Sequence, residues 1–283
     1  MTQTAKKVAL TFKLGGEREV NRMGYGGMQL TGTGVWGDPA DRENAKRVLN
    51  AAVEGGVNFI DTADAYGPHT NEVLIQEAIG KHFSKIVVAT KGGFERPGPG
   101  QWVPNGHPAY IKKCIEGSLK RLKTEHIDLW QLHRIDPAVP VEETLGPVAD
   151  AVTAGKIKYV GLSEVDVKSI ERAQKAVRIV SVQNLYNLSN RKWEEVVDYT
   201  ATKNIAFIPW YPLASGPAKM QDQIGAIAKK HHATIAEVAL AWLLRRSSNI
   251  LLIPGTSSVT HLQENLQAVK VDLSEEEFES LTK

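Results

Sequence analysis

Short apolar runs alternate with longer amphipathic stretches along the whole chain. The runs fall at residues 20–28, 57–62, 86–91, 127–133, 157–163, 179–184, 205–210 and 250–254, the first of them weak. Several, such as Ile86-Val87-Val88-Ala89 and Ile250-Leu251-Leu252-Ile253, are unbroken rather than alternating. Such a run suits a strand buried on both faces, as in a parallel sheet covered by helices. Parallel neighbours require a crossover, and each interval is long enough to hold a helix. The spacing predicts helices over 41–54, 108–122, 141–154, 224–230 and 235–245, with a last one opening at Ser274. Ala45, Val48, Leu49 and Ala52 share one face of the first, which stops at Gly55-Gly56, where glycine permits the left-handed conformation. Ile111, Cys114, Ile115, Ser118, Leu119 and Leu122 repeat the pattern in the second.

Eight strand–helix units in series predict an α/β fold of the (β/α)8 TIM-barrel type. An open doubly wound sheet would instead place G-x-G-x-x-G after a strand, and Met23-Gly24-Tyr25-Gly26-Gly27-Met28 lacks that spacing. Residues 8–20 carry apolar positions on both sides of Leu14-Gly15-Gly16-Glu17, which predicts a β-hairpin at the N-terminal end (bottom) of the barrel. With no linker and no internal repeat, residues 1–283 read as a single barrel domain.

The 283 residues carry 34 Lys and Arg against 32 Asp and Glu, a formal charge of +2, which gives no electrostatic reason to expect a nucleic-acid partner. The single cysteine, Cys114, sits on an apolar stripe and rules out an intrachain disulfide and any Cys-based metal site. The first residues are polar, without a secretory apolar core, and no run could span a bilayer. A cytoplasmic monomer without membrane contact is expected, so Asn187-Leu188-Ser189 reads as a chance sequon.

In a barrel of this kind, polar side chains just past the strand C-termini form the active face. Asp61 ends the second run, with Tyr66 in the loop after it. Lys91 ends the third run and His133 the fourth. A free phenol has a pKa of ~10 and is a poor acid at neutral pH. An adjacent ammonium is expected to lower that value, and a carboxylate would hold the ammonium in place. Tyr66 could then deliver a proton to a carbonyl oxygen that a neutral His133 orients. None of the four supplies hydride, so a cofactor is required.

The segments Gly55-Gly56-Val57-Asn58-Phe59-Ile60-Asp61-Thr62-Ala63, Tyr66-Gly67, Thr90-Lys91 and Ile127-Asp128-Leu129-Trp130-Gln131-Leu132-His133 resemble the aldo-keto reductases. So do Gly155-Lys156-Ile157, Gly161-Leu162-Ser163, Val182-Gln183-Asn184 and Ile253-Pro254-Gly255-Thr256-Ser257-Ser258. The resemblance covers essentially the whole chain; residues 24–30 and 239–258 look most like the pyridoxal reductase branch. It implies a tetrad of Asp61, Tyr66, Lys91 and His133 with Tyr66 as general acid. It also implies NADPH, with NADH possible, lying across the barrel mouth to reduce aldehydes or ketones to alcohols.

Ser163 and Gln183 are then expected to hold the nicotinamide carboxamide, Trp210 to stack on its ring, and Gly26, Gly27 and Met28 to line that end. Leu213, Ser215 and Gly216 would approach the pyrophosphate. Gly255, Thr256, Ser257 and His261 would face the 2′-phosphate, and Glu264 and Asn265 the adenine. Three positions, in two places, depart from the family pattern. Glu164 replaces an asparagine and cannot donate to the carboxamide oxygen. Gly255 and His261 stand where Lys and Arg are usual, so preference for NADPH over NADH is expected to be shallow.

Trp36 and Trp102, together with Tyr66 and His133, are expected to wall the substrate site, favouring aromatic or heteroaromatic aldehydes. Arg134, directly after His133, reads either as an attractor of an anionic or phenolic substituent or as a solvated surface arginine. His231-His232 reads as a solvated helix end, and no metal motif is present. Two rival functions stay open on the residues: a Schiff-base lyase acting through Lys91, and a cofactor-binding regulatory subunit.

Overall fold

The computed structural model describes residues 8–213 and 218–282. Strands β1 (Thr11–Leu14) and β2 (Arg18–Asn21) form the expected antiparallel hairpin. Its turn needs two left-handed residues, and Gly15 (φ 62) and Gly16 (φ 83) provide them. Gly15 also lies flat on Tyr159: a Cβ there would come within 2.4 Å of the ring, so only glycine fits.

The remaining strands are β3 (Tyr25–Gly26), β4 (Phe59–Asp61), β5 (Val87–Gly92), β6 (Phe94–Glu95), β7 (Val103–Pro104), β8 (Ile127–Leu132), β9 (Ile157–Ser163), β10 (Ile179–Gln183) and β11 (Ala206–Phe207). β6 and β7 pair in the third loop, and the other seven make one parallel sheet in the order β3-β4-β5-β8-β9-β10-β11. Residues 250–253 close it into a ring. Leu251 N–H donates to Phe207 O (2.9 Å) on one side, while on the other Leu252 N–H donates to Arg22 O and Gly24 N–H to Leu252 O (both 2.8 Å).

Around the ring lie α1 (Arg42–Glu54), α2 (Thr70–Ile79), α3 (Pro108–Leu122), α4 (Val141–Thr153), α5 (Val167–Ala173), α6 (Glu194–Thr202), α7 (Ala218–Lys230), α8 (Ile235–Arg246), α9 (Val259–Gln267) and α10 (Glu275–Thr282). α1 buries the four residues its periodicity picks out, starts on an Asp41 cap to Asn44 N–H, and runs out before left-handed Gly56 (φ 88). α3 buries the six residues on its apolar stripe, Cys114 among them. Among the described residues no helix is long and apolar enough to cross a membrane.

Two boundaries and one side-chain environment differ from the sequence pattern. The run at 20–28 is divided: Val20 belongs to the hairpin, and the first ring strand is only Tyr25–Gly26. Ring closure there depends on backbone hydrogen bonds of Arg22 and Gly24, so no long apolar run is needed. α7 begins at Ala218, earlier than its apolar positions suggest. His231 is not free at a helix end, because its Nε2 sits 2.9 Å from Glu277 Oε2 on α10.

Strand periodicity sets what the barrel contains. Phe59, Val87, Ala89, Leu129, Tyr159 and Val180 point inward and pack with Phe12, Leu14 and Val20 of the hairpin, which plugs the floor. Ile60, Val88, Trp130, Val160 and Leu162 point outward into the helix layer. Two residues further along β4, β5 and β8 the inward position recurs nearer the mouth and carries a polar side chain, while β9 has Gly161 there and a register shift at residues 179–181 turns Ser181 inward on β10.

Arg22 fastens the closure. It is 1% exposed and has no carboxylate partner among the described residues. Its guanidinium instead donates to four carbonyls: Ile250 (2.8 Å), Ala9 (2.7 Å), Leu244 (2.8 Å) and Ser247. Leu244 lies in the last turn of α8 and Ser247 caps it, where the helix dipole favours a cation. Burial lowers the Arg22 pKa to about 10, which still leaves it charged at neutral pH. Arg22→Met would leave those neutral carbonyls unpaired in a dry seam and should cost at least about 1–3 kcal/mol, the range for a buried polar group that loses its partner. Urea unfolding with an unchanged m-value checks this, and a loss below ~1 kcal/mol would mean that the seam closes without the cation.

Candidate active site

The inward positions nearest the mouth are Asp61 on β4, Lys91 on β5, Gln131 on β8, Ser163 on β9, and Ser181 and Gln183 on β10. Their registers are continuous: Asp61 pairs with Ala89, Lys91 with Gln131, Gln131 with Gly161, and Gly161 with Ser181. Gly161 leaves the space these side chains meet in. A Cβ there would fall 2.0 Å from Ser181 Oγ and 3.0 Å from Gln131 Cγ.

Through that gap runs a polar chain ending on one carboxylate. Ser181 Oγ donates to Gln131 Oε1 (3.3 Å), and Gln131 Nε2 donates to Asp61 Oδ2 (3.2 Å). Gln183 Nε2 donates to the same oxygen at 2.9 Å. The other oxygen, Oδ1, accepts from Lys91 Nζ at 2.5 Å, in an ion pair whose side chains are 0% and 3% exposed. Lys91 Nζ also donates to Thr62 O (2.7 Å) and to Tyr66 Oη (3.3 Å).

The electrostatics follow from burial. Burial alone would lower the Lys91 pKa, but Asp61 and Tyr66 reverse this and keep the amine an ammonium. An ammonium cannot attack a carbonyl, which removes the basis for imine chemistry at Lys91. For Tyr66, burial first, together with the Asp61 charge, raises the pKa by more than Lys91 and Arg134 lower it. The expectation of a net lowering is therefore reversed, because a phenol taken out of water resists ionisation more than the neighbouring cations can offset. Tyr66 is held as a protonated phenol, the form that can give up a proton. Burial first, then Lys91, Arg134 and Arg96, pushes His133 well below the usual imidazole range, so it is neutral. Its ring centroid lies 5.8 Å from that of Tyr66.

These residues open on a cavity of about 510 Å3, whose lining includes Gly26, Met28, Ser163, Gln183, Trp210, Leu213 and Gly255, together with Trp102, Phe94 and Arg134. Gly27 is not among the lining residues; its carbonyl is held by Asn71, whose Nδ2 donates to Gly27 O (2.9 Å) and Leu30 O (3.1 Å). Trp36 is not among the residues lining the cavity and lies 5.6 Å from the Arg96 guanidinium. Thr256, Ser257, His261, Glu264 and Asn265 gather at the start of α9 and along it, where the Ser258 hydroxyl caps His261 N–H. Ser215 and Gly216 lie outside the described residues.

The residues that support the site had no sequence signal, because they join distant segments. Arg96 donates to Gln101 O (2.8 Å), Val35 O (3.2 Å), Ala65 O (2.6 Å) and Gly34 O (3.0 Å). It thereby ties three rim loops together and stacks 3.6 Å over Trp102. Glu164 holds a left-handed backbone (φ 55), and its Oε1 accepts from Leu185 N–H (2.5 Å) and Trp210 Nε1 (2.7 Å). The departure from asparagine thus fixes the tryptophan from behind.

Compared with known proteins, the chain matches the aldo/keto reductase family over residues 22–283. It is 47% identical over 99% of its length to an uncharacterised oxidoreductase of Schizosaccharomyces pombe, covering 94% of that protein. It is 41% identical over 96% of both chains to pyridoxine 4-dehydrogenase of Escherichia coli. Among solved structures, a thermostable aldo-keto reductase crystallised with the inhibitor epalrestat superposes with a TM-score of 0.87. That pair shares 30% identity over 97% of this chain and 99% of the other. A barrel with this rim is an oxidoreductase scaffold, and the chain belongs to the aldo/keto reductase family.

Asp64, behind the tetrad, is the one strongly perturbed carboxyl of the Tyr66 loop. Its N–H donates to Lys91 O (3.0 Å), it is 1% exposed, and its Oδ1 has no partner. Burial first, then the charge of Glu72, raises its pKa to about 7. A native state that keeps this proton loses stability relative to the unfolded chain as pH rises from ~4 to ~7, since the unfolded acid ionises near 3.9. Asp64→Asn should abolish that slope, gaining more than about 1 kcal/mol over the parent at pH 8 relative to pH 5. Urea unfolding at the two pH values measures it; an equal difference at both would show that Asp64 is ionised throughout.

Proposed function

We propose that this protein is an NADPH-dependent reductase of aldehydes and ketones, with aromatic and heteroaromatic aldehydes of the pyridoxal type as its preferred class. The observation that carries the reading is the buried Asp61–Lys91 pair with the protonated Tyr66 phenol 3.3 Å from the ammonium, facing a cavity large enough for a substrate beside a nicotinamide.

The residues present fit the coenzyme. Gln183 gives its amide N–H to Asp61, which leaves its carbonyl oxygen as an acceptor for the carboxamide NH2. Ser163 Oγ accepts from Arg134 Nη1 (2.9 Å), which leaves its hydroxyl proton for the carboxamide oxygen. Trp210, fixed by Glu164, offers a flat face for the ring. Backbone N–H groups at the start of α9, with the hydroxyls of Thr256 and Ser257, suit a phosphate. Glu264 and Asn265 stand beyond for the adenine. When bound, the reduced nicotinamide supplies the hydride.

The chain's own residues do the rest. A carbonyl oxygen placed between Tyr66 Oη and the neutral His133 ring is oriented by both. As negative charge develops there, Tyr66 gives up its proton, and the phenolate left behind is stabilised by Lys91, whose charge Asp61 maintains. Trp102 and Phe94, edge-on to His133 at 6.0 and 4.7 Å, form an apolar wall that fits an aromatic aldehyde. The pyridoxine 4-dehydrogenase relative, 41% identical, supports the same class.

Tyr66→Phe removes only the proton donor and should lower kcat by about 10²–10⁴-fold with NADPH affinity nearly unchanged. Lys91→Met should be as severe, because the phenolate would then form uncompensated in a buried site. Steady-state reduction of benzaldehyde and pyridoxal, with coenzyme affinity read from tryptophan quenching, tests both. Full turnover by Tyr66→Phe would exclude Tyr66 as the acid.

A further inference from the structure

Among the charged side chains lining the cavity, Asp61 is matched by Lys91, but Arg134 has no counter-ion within ion-pair distance among the described residues. It is half-buried and spends a single nitrogen on its surroundings. Nη1 donates both to its own neighbour, His133 O (2.6 Å), and to Ser163 Oγ (2.9 Å). Nε and Nη2 meet no partner among the described residues. The guanidinium carbon lies 5.7 Å from the Phe94 ring and 6.0 Å from the Trp210 ring, between the substrate wall and the proposed nicotinamide stack.

The nearest acid is committed elsewhere. Glu164 uses Oε1 to hold Leu185 N–H and the Trp210 indole, so it helps balance the cation at a distance without occupying its donors. Burial lowers the Arg134 pKa, yet an arginine stays charged at neutral pH. A purely structural arginine would be saturated, as Arg22 and Arg96 are in this same protein. Arg134 is instead pinned by one nitrogen, with the rest of its planar fork left over at the edge of a partly dry pocket.

Resting on the reductase reading above, we infer that Arg134 is a specificity residue that recognises an anionic oxygen carried next to the reacting carbonyl. The preferred substrates are then aldehydes with a carboxylate or phenolate on the adjacent carbon, rather than neutral aldehydes. The placement follows from the chain. His133, which orients the carbonyl, and Arg134 are consecutive, line the same cavity and both border the Phe94 ring, 4.7 and 5.7 Å from its centroid. An anion reaching the free donors must therefore sit within a few bonds of the oxygen that Tyr66 protonates. A hydrogen bond to a charged group at such a site is strong, because little water competes for it.

The test compares 2-carboxybenzaldehyde, 4-carboxybenzaldehyde and benzaldehyde with NADPH at pH 7.5, in the parent protein and in Arg134→Gln and Arg134→Lys. The two carboxylates have the same charge and differ only in its place. The parent should prefer the 2-isomer over the 4-isomer in kcat/KM by about tenfold to a hundredfold, the range for one charge-assisted hydrogen bond. Arg134→Gln should abolish that preference through KM, and Arg134→Lys should restore part of it. Because Arg134 also holds Ser163, the NADPH dissociation constant is followed separately by tryptophan quenching, and the isomer ratio at saturating NADPH is the discriminating readout. Equal losses on both isomers together with tenfold weaker NADPH binding would place the guanidinium on the coenzyme and overturn the assignment. A parent that does not distinguish the isomers would overturn it as well, while the reductase reading survives. Reduction of none of the three aldehydes would overturn both.

Discussion

A lysine ammonium with no exposure to water, held 2.5 Å from an aspartate in the mouth of the barrel, is the contact on which the site depends. Two buried charges are costly, and they persist because the polar atoms of the pair itself are all used. Asp61 takes two amide donors on its second oxygen, and Lys91 takes the Thr62 carbonyl and the Tyr66 hydroxyl. Substituting either partner would leave an uncompensated ion in a dry site. The barrel floor and hairpin below hold the strands at the spacing that the pair requires.

The same burial sets the chemistry of the phenol. Proximity to an ammonium argues for an acidic tyrosine, while desolvation argues for a reluctant one, and in this site desolvation is the larger. The outcome suits proton donation. In the proposed reaction the phenol would stay protonated until a bound carbonyl took on negative charge, with the ammonium already in place to stabilise the resulting phenolate. Arg22 follows a related logic elsewhere in the fold, where a buried cation is matched by carbonyl dipoles rather than by a carboxylate.

Much of this was legible in the residues. Polar residues at the C-terminal ends of the strand runs fall on one rim, so Asp61, Lys91 and His133 could be placed together, and the faces of α1 and α3 could be read from their periodicity. Other features were hidden for physical reasons. Arg96 joins carbonyls of residues 34, 35, 65 and 101, and no local spacing signals such a hub. Gln131 looks like an ordinary strand residue until Gly161 opens the gap that lets it reach Asp61. The sign of the Tyr66 shift depends on how completely the ring is buried, which only the packed structure fixes. The first ring strand is short because the closure there is made by the backbone around Gly24, which leaves no apolar run to find.

The most direct measurement of this account is the ionisation of Tyr66 itself, followed as the ultraviolet difference between the parent protein and Tyr66→Phe across pH. The account predicts that no phenolate from this residue appears below the ~10 of a free tyrosine, because burial outweighs the ammonium beside it. Phenolate appearing between pH 7 and 9 would contradict it, and would mean that the Lys91 charge, rather than exclusion from water, governs the proton at the mouth of the barrel.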